Sequence, residues 1–107
     1  ERAVTDYQAK SKKHIAAVGI DDDPVTLKAV EEGFLDGFVA QNPYGHGYLS
    51  MLALKYLSEG WKPKAGAYDI NAGIVIVTKA NINKYAADLT KVTNQIKADL
   101  TKKYLTK

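Results

Sequence analysis

The stretch Ile15 to Pro24, IAAVGIDDDP, constrains this chain most, because an apolar run ends in three consecutive carboxylates followed by a proline. A short, partly β-branched run from Ile15 to Ile20 reads as a strand covered on both faces, with Gly19 permitting close backbone approach at its end. Pro24 suits the first turn of a helix, where a missing N–H costs nothing. Any of Asp21, Asp22 or Asp23 can accept from the free N–H groups behind it. A strand that leads directly into a helix places its acids at the carboxyl edge of a sheet, where ligands bind in open α/β proteins.

The neighbouring segments extend this unit. Residues 1–10 carry helical spacing at Ala3, Val4 and Tyr7 and read as a chain entered in mid-helix. A helix is expected over 24–32, with Val25, Leu27 or Lys28, Ala29 and Val30 inward and Gly33 ending it. A second strand is expected over 37–41. Strand, helix and strand with short joints make adjacent parallel strands with a right-handed crossover, so Asp21 and Gln41 should emerge at the same edge.

Residues 42–47, NPYGHG, read as a turn-rich bridge, followed by a helix from about Tyr48 to Glu59 that Gly60 stops. Two short strand-like runs follow, Ala67 to Ile70 and Ile74 to Thr78. The tail from Asn81 or Asn83 to Tyr104 reads as a long amphipathic helix with Ile82, Ala86, Leu89, Val92, Ile96 and Leu100 on one stripe.

Composition removes several function classes. The chain has 107 residues, enough for one small core, and a net charge of only +3. The surplus lysine lies near the two ends, not in a basic stripe interleaved with aromatics, which argues against nucleic-acid binding. The absence of cysteine rules out disulfides and thiol chemistry, and His14 and His46 form no metal-ligand pattern, reading instead as solvated loop residues. No apolar run has membrane-spanning length.

The order of motifs VGIDDDP, a helix ending EEG, FVAQNPYGHGY, a helix ending SEGW, and YDINAGIVIVTKANI resembles the C-terminal third of type I periplasmic sugar-binding proteins, the ribose- and galactose-binding family of ABC importers. The resemblance runs from the first helix to about Asn81 and implies a C-terminal piece of a longer chain. It implies an α/β chain that is part of a two-lobed fold, each lobe a doubly wound, mostly parallel sheet. Residues 1–41 would belong to the C-terminal lobe and 42–70 to the N-terminal lobe, reached through a hinge crossing. Residues 71–107 would form the return crossing and the final helix, with Pro43 opening a helix in the other lobe.

By the same resemblance the protein is a non-enzymatic extracytoplasmic binder, periplasmic or a cell-surface lipoprotein, that holds a monosaccharide, a pentose or hexose, between its lobes. Its partners would be the remainder of its own chain and an ABC permease or membrane sensor, and no cofactor or metal is implied. Asp21 matches the acid ending the GxD strand, and Gln41 the amide of the AQxP motif; these are the ligand-binding residues. Their chemistry fits, since a carboxylate only accepts whereas a sugar offers many donors, and an amide does both. Asp22 and Asp23 read as helix-dipole and capping residues. Tyr44 and Trp61 are weak candidates for sugar stacking.

Two other readings share parts of this pattern. A two-component sugar sensor or a LacI-like effector domain keeps the fold. A phosphoacceptor receiver domain would instead use Asp21 and its neighbours for magnesium and Asp69 as the phosphoryl acceptor, but no Met-Pro follows Asp69, and Thr78 and Lys79 come too early for its later strands.

Overall fold

A computed structural model describes residues 2–107 as a mixed α/β chain in two compact units. The first comprises Glu1–Gln41 and Ile74–Ala86, the second Asn42–Gly73 and Ala87–Lys107. The chain passes between them after Gln41, after Gly73 and after Ala86.

The first unit begins with helix α1, Arg2–Ser11, followed by strand β1, Val18–Ile20, helix α2, Pro24–Glu31, and strand β2, Gly37–Ala40. β1 and β2 pair in parallel, Gly19 opposite Phe38, as the strand–helix–strand spacing requires. Strand β4, Val75–Val77, adds antiparallel to β2, giving the order β1-β2-β4. Gly19, Phe38 and Val77 thus share one face, and α2 covers it with Thr26, Ala29 and Val30. A side chain at Gly19 would press on the Thr26 methyl, so the glycine is what lets α2 lie this close. Phe38, 1% exposed, anchors this core and meets the Tyr85 ring edge-on at 5.7 Å.

Three expectations for this unit are corrected. β1 spans three residues, not six: the Asp36 carboxylate takes the Ala17 N–H (2.8 Å) and the Asp36 N–H bonds the Ala17 carbonyl (2.9 Å), tying Ala17 to the turn before β2. The strand is covered on one face only: Val18 is 77% and Ile20 66% exposed, and Ile76, beside Val39 in the register, shares that open side. On α2 Ala29 and Val30 face inward as expected, but Thr26 joins them in place of Val25, which faces out. Gly33, at φ +82°, stops that helix where expected.

The second unit is built on helix α3, Pro43–Ser58. The residue-by-residue expectation of a bridge up to Gly47 fails here, because Asn42 caps the helix and Pro43 occupies its first turn, as the family resemblance implies. Gly45 is required: a Cβ there would collide with the Asn42 side chain that accepts its N–H. Leu49, Ala72, Ile96 and Leu100 form the core, with Tyr48, Leu52, Tyr56, Ile70, Val92 and Tyr104 packed around it.

The tail is shorter as an α-helix than the apolar stripe indicates. Helix α4 runs Tyr85–Asp99 and continues as a π-helical segment, Leu100–Tyr104, closed by an N–H from Leu105 to the Leu100 carbonyl. Strand β5, Leu105–Thr106, then pairs with β3, Lys62–Pro63, two strands of two residues that carry no local signal. The Tyr104 carbonyl accepts from the Lys64 N–H at 2.8 Å, and the Lys102 carbonyl from Lys64 Nζ at 2.6 Å, fixing this end to the loop that holds Trp61. Residues 67–70 form no strand. Among the described residues no helix is long and apolar enough to cross a membrane.

Candidate functional site

The candidate site lies at the carboxyl ends of β1 and β2 in the first unit. After Ile20 the ladder continues one step, with the Asp21 N–H donating to the Val39 carbonyl at 3.0 Å. Asp21 then turns into the left-handed region at φ +73°, a conformation that aspartate tolerates better than most residues but that still carries strain. The turn aims its side chain along the strand edge towards Gln41, the residue after β2. Gln41 Nε2 donates to Asp21 Oδ1 at 3.0 Å, and both residues are exposed. The two sequence candidates are therefore brought together by parallel register, twenty residues apart in the chain.

The three adjacent acids have three separate tasks. Asp23 is the N-cap of α2: its Oδ1 accepts from Val25 N (2.9 Å) and Thr26 N (3.2 Å), and its Oδ2 from the Thr26 hydroxyl. The Thr26 hydroxyl, followed by that residue's N–H, holds the Asp23 carboxyl below its ordinary value of 3.8. Asp22 does not cap the helix, contrary to expectation. Its Oδ2 accepts from the Tyr85 hydroxyl at 2.9 Å, a contact that, together with burial, raises the phenol's pKa. Burial is the larger of those two effects. No sequence signal links positions sixty-three apart, so Tyr85 was absent from the candidates. Its ring rests on Phe38, and its hydroxyl borders the acidic edge.

This arrangement offers a concentrated acceptor surface with one amide donor. Asp21 keeps a second carboxylate oxygen and Gln41 a carbonyl oxygen, so a polyhydroxylated ligand can donate to both and accept from the second amide hydrogen. Asp22 and Asp23, engaged with Tyr85 and the helix start, do not join Asp21 in a shared metal centre. Among the described residues no group of three or more His, Cys, Asp or Glu side chains is disposed to hold a metal ion. Asp69 belongs to the second unit.

The second unit carries a different concavity of about 560 Å³, lined by His46, Ser50, Asp69 and Asn71 together with Leu49 and Leu100. His46 lies on α3, not in a loop. Tyr44 stacks on Tyr48, rings 5.8 Å apart and nearly parallel, and Lys97 sits 5.5 Å from the Tyr48 ring centre. Trp61 is half-buried against the edge of Tyr56, covering the core margin. Comparison of the chain with known proteins finds no matching family model and no matching curated protein.

Proposed function

We propose that this chain is a non-enzymatic sugar-binding segment in which Asp21 and Gln41 hold adjacent hydroxyls of a monosaccharide. The single observation that supports it is the bond of 3.0 Å between Gln41 Nε2 and Asp21 Oδ1 at the ends of two parallel strands. It sets an acceptor beside a donor–acceptor, and the acid is held there by a strained backbone. In this reading the sheet β1-β2-β4 belongs to a doubly wound lobe of a type I periplasmic binding protein. The binder is extracytoplasmic and delivers its sugar to an ABC permease or reports it to a membrane sensor.

Calorimetric titration with a panel of pentoses and hexoses tests the reading. It predicts saturable heat with at least one sugar and about tenfold or greater loss of affinity in Asp21→Ala, since a charge-assisted bond is removed. Absence of heat across the panel, or unchanged affinity in that variant, would overturn it.

A further inference from the structure

Helix α1 is attached to the first unit in an unusual way: its one buried side chain among the described residues is polar, Gln8. The Gln8 amide nitrogen donates to the Phe34 carbonyl at 2.8 Å and lies 3.5 Å from the Ile15 carbonyl. These two carbonyls fix its orientation, because a flipped amide would set oxygen against oxygen. Gln8 Oε1 is thereby aimed at His14 Nδ1, 3.1 Å away. The other ring nitrogen, Nε2, lies 3.0 Å from Asp36 Oδ1. Asp36 is itself held in place, since its Oδ2 accepts from the Ala17 N–H at 2.8 Å.

A neutral imidazole has one N–H and one lone pair, yet here both ring nitrogens face acceptors. Only the imidazolium donates to both. We propose that His14 is a protonation-dependent latch, which as the imidazolium ties α1 to the turn before β2 and as the neutral ring gives up one of the two ties. The titratable side chain hydrogen-bonded to the ring is Asp36, from that turn; α1 contributes the uncharged Gln8, and Lys12 and Lys13 immediately before His14 oppose its charge. The Asp36 carboxyl is held below its ordinary value, first by the Ala17 N–H and then by His14, so it stays ionised opposite the ring. The sign follows: both ties are made while the ring is charged, and one of them is given up once the ring is neutral, so the attachment weakens as pH rises.

The test is native-state hydrogen exchange of the amides of residues 7–12 at about pH 5.5 and about pH 8, corrected for intrinsic rates, with the α2 amides as reference. In the wild-type chain, α1 protection relative to α2 should fall by a factor of roughly two to five at the higher pH, the range expected of an exposed charge pair. Asp36→Asn separates the latch from mere packing. The new amide keeps its oxygen on Ala17 N–H and donates from its nitrogen to a neutral Nε2, leaving Nδ1–H for Gln8. All the bonds survive with a neutral ring, whereas an imidazolium would set its Nε2–H against the new amide's N–H groups, so protection should no longer fall at the higher pH. His14→Gln should be indifferent to pH. An undiminished fall in protection at the higher pH in either variant, or no fall in the wild type, overturns the proposal.

Discussion

Replacing Asn42 tests the account of the second unit most sharply, because one side chain there does three things at once. It is 2% exposed; its Oδ1 caps α3 through the Gly45 N–H at 3.0 Å, and its Nδ2 donates to the Ala72 carbonyl at 2.8 Å and to Thr93 Oγ1 at 2.9 Å. Asn42→Ala removes the cap, worth about 1 kcal/mol, and leaves two buried partners short of a donor at about 1–1.5 kcal/mol each, so about 3–4 kcal/mol in all. Thr93 retains its own bond to the Leu89 carbonyl, which keeps the figure from being larger. The informative variant is Asn42→Asp. Aspartate caps helices as well as asparagine does, so a capping role alone predicts no change. The network predicts a loss of at least about 2 kcal/mol, because a carboxylate cannot donate and meets the Ala72 carbonyl oxygen. Urea unfolding followed by Trp61 fluorescence reports on the same unit, where the indole lies against Tyr56. Stability of Asn42→Asp within about 0.5 kcal/mol of wild type would refute the reasoning.

Three further outcomes are expected. Phe38→Ala should cost about 3–5 kcal/mol by circular dichroism, since the ring is fully buried, while Ile20→Thr on the open sheet face should change stability by less than about 0.5 kcal/mol. Asp23 has a depressed pKa in the folded chain, so its stabilisation is present above the unfolded value and lost as pH falls through the folded one. The Tm difference between wild type and Asp23→Asn should accordingly shrink below about pH 4 and stay constant from about pH 5 to about pH 7. Asp22→Asn should leave the Phe38 contact intact and bring the Tyr85 phenol part of the way back towards its ordinary value in a spectrophotometric titration, since burial and then Asp22 raise it; an unchanged titration would mean the bond at 2.9 Å has no weight in solution.

What the sequence made legible was the part written in local signals. Pro24, Gly33 and a carboxylate before the helix mark α2 from within a few residues, and the short joints on either side dictate a parallel pair. That sufficed to bring Asp21 and Gln41 together, since register is all their meeting requires. The start of α3 was hidden from the residue-level reading because Gly45 and Gly47 signal a turn, and only the Asn42 cap, which needs a position at 45 without a Cβ, explains a helix through them. Contacts across long separations were not legible: Tyr85 to Asp22, Asn42 to Thr93, and the pairing of Lys62–Pro63 with Leu105–Thr106 have no periodicity to announce them. His14 is the exposed loop residue that the sequence suggests, but its partners, six residues before and twenty-two after it, were not legible for the same reason. The apolar run at 15–20 implied burial on both faces, whereas Asp36 diverts its first half and β1 is covered by α2 on one side.

The claim that Asp21 and Gln41 form a sugar site is tested most directly by amide chemical-shift mapping during titration with the pentose and hexose panel. The account predicts that the Asp21 and Gln41 amides and the Gln41 side-chain NH₂ shift first and together, and that Gln41→Ala abolishes the response. Shifts confined to the second unit, or none with any sugar, would contradict it.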